Sequence, residues 1–444
     1  MMRNPGRAMG LSGATLALLF AAGCGSSNQQ ANGSTGGSGG AADIARSSLQ
    51  HETHPQVADA DYQALIKDNS DFGFDLYSQL TQSDDGNVIM SPISATVALA
   101  MTYAGAKGNT ATEMAQALHF SLPQEKLHPA LNKLAIALAS RNVAQHKTDE
   151  GDKSLKLDLV NASWAQKDYQ FNQPFLDTLA VSYDAGVHLL DFATDPEGSR
   201  QTINGWVADN TENKIQNLIP KGKIDPTTRL VLTNALYFYG SWVYPFDKSI
   251  TANAAFHPLS GADVQVPTMH QTESLSYAEG TNYQVVDLPY DGGAVSMRIV
   301  LPAQGHFDEI RKGLSTSWMS DVDKAIEGAE VSVSLPKFKF DWGSTSLEPA
   351  LQAMGMKEAF QYPAADFSGM EPKRELYIGD VMQKAFVGVD ESGTEAAAAT
   401  AVIMNAGSAP MQPKAFDANR PFIFSIRDSS GTLLFVGQVT DPTA

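Results

Sequence analysis

The chain has 444 residues, 43% of them hydrophobic, which suffices for one large domain or two ordinary ones with a sizeable core and excludes a disordered chain. A formal net charge of −18 argues against nucleic acid or an anionic lipid surface as a partner, because both need clustered Lys and Arg. Charge of this sign is otherwise what keeps a globular domain soluble.

The first elements concern export. Arg3 and Arg7 give a positive start, Leu11 to Ala22 is a short apolar stretch, and small residues lead into Cys24, so residues 1–23 read as a secretion signal. The apolar stretch is shorter than the roughly 20 residues a bilayer-spanning helix needs. Phe20-Ala21-Ala22-Gly23-Cys24 resembles the bacterial lipobox, with Ala21 where Leu is usual. That resemblance implies cleavage before a lipidated Cys24, export across an inner membrane, and a lipid anchor in the cell envelope or at its outer surface. Cys24 is the only cysteine, so no intrachain disulfide is available. Residues 24–60 include Gly36-Gly37-Ser38-Gly39-Gly40 and few large apolar side chains; they read as a flexible tether with a reach of about 30 Å, followed by a single domain over residues 61–444.

Within that domain the early pattern is helical. Phe72, Leu76 and Leu80 repeat every four residues, and Thr110 with Glu113 has capping-box spacing ahead of Met114 and Leu118. Later the period shortens to two: Val331, Val333 and Leu335 alternate with serines, and Phe338 and Phe340 flank Lys339. Phe422 to Ile426 and Leu433 to Val436 are separated by Asp428-Ser429-Ser430-Gly431, a hairpin signal. Helices early and strands late predict an α+β domain.

Catalytic chemistry finds little support. His51 and His54 are the only histidines within ligand reach of each other, and with Glu52 between them they fall one residue short of HExxH spacing. Gly36 to Gly40 matches the letters of a nucleophile elbow without the strand and helix that motif requires. There is no phosphate loop of the GxxxxGK[ST] type. No metal, cofactor or catalytic group is expected from these motifs; a Ser-His-Asp triad assembled from distant residues stays open as a third reading, a hydrolase, with no motif in its favour.

The segment from Glu391 to Pro413 is different. No charged side chain occurs from Ala396 to Pro413 in an otherwise acidic chain. By propensity alone Ala396 to Ala399 suits a helix. Laid out as a strand, the same segment places Thr394, Ala396, Ala398, Thr400, Val402 and Met404 on one small or apolar face, with Glu395 on the other. It is compatible with an exposed loop and with a strand inserted in a sheet.

Glu391-Ser392-Gly393-Thr394-Glu395, continued by Ala396, Ala397, Ala398, Ala399 and Thr400, resembles the hinge signature of the serpins, and Ala418-Asn419-Arg420-Pro421-Phe422 follows at the family's distance. Asn87 to Ser94, Thr233 to Phe238 with Trp242, and Leu376 to Phe386 are similar to further serpin segments, so the resemblance runs from about Tyr62 to Pro442. It implies an α+β serpin fold of about nine helices around three β-sheets with an exposed reactive-centre loop. It further implies a monomeric inhibitor rather than an enzyme, acting as a suicide substrate: a serine protease acylates itself on the loop, and the freed hinge inserts as a new strand. The resemblance places the scissile bond between Gly407 and Ser408, which suits an elastase-like or subtilisin-like protease. It places Ser91, Ser94, Asn234 and Gln383 in a polar cluster controlling sheet opening, with Trp242 and a Lys337–Glu391 pair at the insertion point. Gln383 stands where the family usually has His. The alternative is a non-inhibitory serpin acting as a carrier, chaperone or surface binding module.

Overall fold

The computed structural model describes residues 42–82, 84–148, 151–394 and 412–444. The helical spacing of the first half produces α1 (Asp59–Thr81), α2 (Pro92–Tyr103), α3 (Gly108–Ala117), α4 (Gln124–Ala139), α5 (Gln173–Tyr183) and α6 (Pro196–Asn210). Phe72 and Leu76 of α1 are fully buried, and Leu80 packs against the same core. The entry to α2 is set locally, because Ser91 accepts the Ser94 N–H on its hydroxyl and Pro92 occupies the first turn. Three shorter helices follow, α7 (Phe307–Gly313), α8 (Thr316–Ala325) and α9 (Glu348–Ala353), giving nine α-helices among the described residues.

The central sheet is built from β1 (Asp43–Ala45), β3 (Val143–Thr148), β4 (Gly151–Gln166), β5 (Val187–Leu190), β6 (Leu230–Ser241), β12 (Phe338–Ser346), β13 (Asp380–Asp390) and β14 (Gly393–Thr394). Its order is β1-β5-β4-β6-β14-β13-β12, with β3 paired to β4. The second sheet contains β2 (Val88–Met90), β7 (Ala252–Phe256), β8 (Val264–Glu279), β9 (Tyr283–Pro289), β10 (Val295–Pro302), β11 (Glu327–Pro336), β15 (Lys414–Asp417), β16 (Phe422–Asp428) and β17 (Leu433–Val439). Among the described residues the expected three sheets are hydrogen-bonded as two, because the long β8 pairs with β7 and β11 and then continues into β9 at Ser276–Glu279.

The period-two pattern holds in β11 and β12: Val331, Val333, Leu335, Phe338 and Phe340 are buried while Lys339 is exposed. The predicted hairpin forms as β16 and β17, both buried at nearly every position. α6 covers the central sheet through a second apolar cluster that includes Trp164, Ile203, Val207, Val231 and Met382.

Two expectations are corrected. The tether does not reach residue 60, and the domain does not start at 61. β1 pairs antiparallel with β5, Ser47 donates to Asp177 Oδ1 at 2.5 Å, and the Glu52 N–H donates to the Val181 carbonyl at 3.0 Å. His51 Nε2 is bonded to Asn132 Oδ1 at 2.8 Å and His54 Nδ1 to Thr53 Oγ1 at 2.9 Å, so both histidines are engaged in local structure. The Thr110/Glu113 capping box also does not form. The helix begins earlier, at Gly108, and the Glu113 carboxylate instead accepts the N–H groups of Lys357 and Glu358, capping a 3-10 turn far along the chain.

Candidate functional site

Residues on the two middle strands of the central sheet define the site. β6 and β13 run parallel and pair directly only at one end, where Val231–Asn234 lies against Asp380–Gln383. At the other end β14 stands between them, with Thr394 opposite Val389 of β13 and Gly240 of β6. A two-residue strand thus occupies the upper end of a split in the sheet. Gly393 is required there by space: a Cβ would lie 2.0 Å from the Gly240 carbonyl oxygen.

The hinge end is held by buried polar contacts. Tyr290 and Thr394 share a hydroxyl–hydroxyl hydrogen bond of 2.6 Å, and the Trp242 ring stacks on Tyr290 with centroids 4.5 Å apart. Trp242 donates its backbone N–H to the Ser392 carbonyl and its indole N–H to the Asp390 carbonyl. Glu391 is buried and accepts from Lys337 Nζ at 2.8 Å and Thr251 Oγ1 at 3.0 Å. Burial works to raise the Glu391 carboxyl, yet the bonds from Lys337, its own N–H and Thr251, together with the lysine charge, outweigh it and leave the pKa below the ordinary range.

Lower down, where β6 and β13 first meet, Ser91, Ser94, Asn234 and Gln383 are brought together, all buried. Gln383 Nε2 donates to Asn234 Oδ1 at 2.8 Å and to the Ser91 carbonyl at 3.1 Å, and its Oε1 accepts the Ser91 N–H at 3.2 Å. A neutral imidazole has one donor and one acceptor, whereas the amide makes three bonds here and does not titrate. The cluster includes a residue that sequence reasoning missed. Asn161 of β4 lies directly opposite Asn234 and accepts from Ser94 Oγ at 3.0 Å. Asn is depleted in strands, so its presence within β4 was an available signal. Tyr290 was missed as well, since nothing in its neighbourhood sets it apart from ordinary core aromatics.

Glu395 to Thr400, the Gly407–Ser408 bond and Cys24 lie outside the described residues. Among the described residues, no group of three or more His, Cys, Asp or Glu is arranged to hold a metal ion, and no helix is long and apolar enough to cross a membrane.

A family profile described as Serpin (serine protease inhibitor) matches residues 67–442. The chain is a serpin. Its relatives include an uncharacterized serpin-like protein of Thermococcus kodakarensis, 39% identical over 374 residues that span 84% of each chain. Leukocyte elastase inhibitor of Xenopus tropicalis is 36% identical over 380 residues, covering 84% of this serpin and 97% of the relative. Among solved structures, the thermophilic serpin tengpin in its native state has a TM-score of 0.78 at 29% identity, covering 90% of this serpin and 99% of tengpin. The α+β serpin fold follows from sequence and structure alike.

Proposed function

We propose that this serpin is a suicide-substrate inhibitor of an elastase-like or subtilisin-like serine protease, exported and held at the cell envelope by a lipid on Cys24. The observation that carries the reading is the register of the split. Thr394 faces Gly240 on one side and Val389 on the other, and Asn234 faces Gln383 where the strands rejoin. The offset between β6 and β13 is therefore the same above and below the gap. A strand continued from β14 zips against both neighbours without slipping in either.

In that register Ala396 meets Phe238 and Val387, and Ala398 meets Leu236 and Ala385, on the core face that Thr394 already occupies. Small residues fit beside those side chains, and the first charged residue, Glu395, falls on the opposite face. Residues through Ala399 enter without breaking any existing β6–β13 pair. Val402 then reaches Leu232 and Val381, which requires the direct ladder to part. On the order of ten new backbone hydrogen bonds, each worth about 0.5–1.5 kcal/mol net, supply a driving force of sufficient size. A protease esterified to the cleaved loop is carried along before water hydrolyses the ester.

The name of the Xenopus relative and the small residues Gly407 and Ser408 support an elastase-like or subtilisin-like target over a trypsin-like one. The test is incubation with pancreatic elastase and with subtilisin, followed by denaturing electrophoresis. An SDS-stable complex containing the N-terminal part of the loop is expected. Cleaved serpin with fully active protease supports the carrier or binding-module reading instead.

A further inference from the structure

Alternate residues of β13 face away from the core: Ala385, Val387 and Val389 are buried, whereas Phe386 and Gly388 between them are only half-buried, and Lys339 of β12 beside them is exposed. An open cleft of about 510 Å3 lies over this outer face of β12 and β13, with Pro267, Pro442 and Phe386 giving it an apolar lining. That volume falls within the roughly 300–1,000 Å3 of small-molecule sites.

Two features of the lining point to a ligand. The first is charge. In a chain of net charge −18, three lysines, Lys214, Lys337 and Lys339, line this one cleft. Lys337 is committed to Glu391 at 2.8 Å. Lys339 has no carboxylate within ion-pairing distance among the described residues, and its Nζ lies 5.5 Å from the centroid of the Phe386 ring. The carboxylate of the lining, Asp390, is turned to its own backbone, accepting the Ser392 N–H on Oδ1 at 2.8 Å.

The second feature is an omitted side chain. Gly388 lies directly opposite Lys339 in the interior of the β12–β13 ladder, where glycine is disfavoured and where no positive φ calls for it. A Cβ added there would meet Lys339 Cγ and Phe386 Cζ, both at 3.5 Å, which is ordinary contact. The fold itself therefore does not exclude a side chain at 388, and a larger one would grow into the cleft. Glycine within a strand often marks the close approach of a ligand.

We propose that this cleft binds a small aromatic carboxylate, its anionic head paired with Lys339 and its ring lying over Gly388 against Phe386. An organic cation is repelled by the lysines, and a neutral ring leaves Lys339 unpaired, so charge complementarity selects the anion. Phe386 favours an aromatic body, because paired rings gain from offset or edge-to-face contact beyond the area they bury. The cleft lies over β12 and β13 rather than between β6 and β13, so binding does not depend on insertion.

The test is calorimetric titration of the full-length protein with biphenyl-4-carboxylate and, separately, with biphenyl-4-methylamine. Saturable binding of the carboxylate with a Kd of about 0.1–1 mM is expected, and none of the amine. Lys339→Gln should weaken the carboxylate about tenfold. Gly388→Leu, which fills the cleft without removing a charge, should abolish binding, and Lys248→Gln, at an exposed position outside the lining, should leave it unchanged. Melting temperatures report whether each variant folds, and Lys339→Gln, at an exposed position, tests the site by itself should Gly388→Leu not fold. The site is overturned by no saturable binding of the carboxylate, by equal binding of the amine, or by wild-type affinity in Lys339→Gln or in folded Gly388→Leu. A loss in Lys248→Gln as large as that in Lys339→Gln overturns it too.

Discussion

Two short strands are added to the same sheet by segments that look irregular in sequence, and they are held in different ways. β1 lies at the outer edge, pairs on one side only with β5, and leaves Ile44 52% exposed. Side-chain contacts do the holding: Arg46 with Asp184, Ser47 with Asp177, and Asn132 bridging the Glu52 and Val181 carbonyls. β14 lies in the middle, pairs on both sides, and buries Thr394 against Tyr290. An edge strand ends its sheet, whereas a strand at the head of an aligned split has a path to extend along. The comparison separates a strand fastened at an edge from one seated at the head of a split.

The largest effect is expected from loading the path. On the proposed insertion, Ala398→Glu would put a carboxylate between Leu236 and Ala385, where an unpaired charge costs several kcal/mol. Complex formation with elastase or subtilisin should drop at least tenfold on gels while the intact melting temperature stays put.

Next comes acid at the β1 side. His128 of α4 is bonded to the Tyr183 hydroxyl at 2.6 Å, and burial pushes its imidazole down to about 4. The unfolded ring titrates near 6.5, so between those values the unfolded chain takes up a proton that the folded one refuses. Stability is whole above about pH 6.5 and is lost as pH falls toward 4, by up to about 3 kcal/mol. In His128→Gln the fall in denaturant midpoint between pH 7 and pH 4.5 should be visibly shallower than in wild type. An identical slope would show that this ring does not govern it.

A smaller loss is expected from Lys337→Met, which strips the ammonium from buried Glu391 at the head of β14. Lys337 is 36% exposed, so solvent screening limits the effect to about 1–2 kcal/mol, read as a lower melting temperature of the intact protein. The smallest is Gly186→Ala. Its Cβ would sit 2.6 Å from the Ala45 carbonyl and 2.8 Å from Ile44 Cγ2, so β1 should lift while the rest of the fold remains. Limited proteolysis should then cut within residues 43–52 several times faster, at a stability change of about 1 kcal/mol. Unchanged proteolysis would mean that β1 is not seated by that contact.

These contrasts also explain what was legible beforehand. The alternation in β11 and β12 and the spacing in α1 follow from one buried face each, which a local pattern records. The uncharged run from Ala396 to Pro413 stood out against an otherwise acidic chain. β1 was not legible, because its one large apolar residue, Ile44, points outward and its seat is made by Gly186, Asp177, Asp184 and Asn132, all remote in sequence. Glu113 misled for the same reason: the carboxylate that suits its own helix start is taken by Lys357 and Glu358 through tertiary contact. Asn161 and Tyr290 acquire meaning only when β4 and the β9–β10 turn are brought against β6.

The central claim is that the chain following β14 joins the sheet when the loop is cut. Hydrogen exchange of the Ala396–Ala399 amides, followed by mass spectrometry before and after nicking within residues 401–411, addresses it directly. Protection of those amides rising by orders of magnitude after cleavage is the predicted result. Exchange at the same rate in both forms would contradict the account.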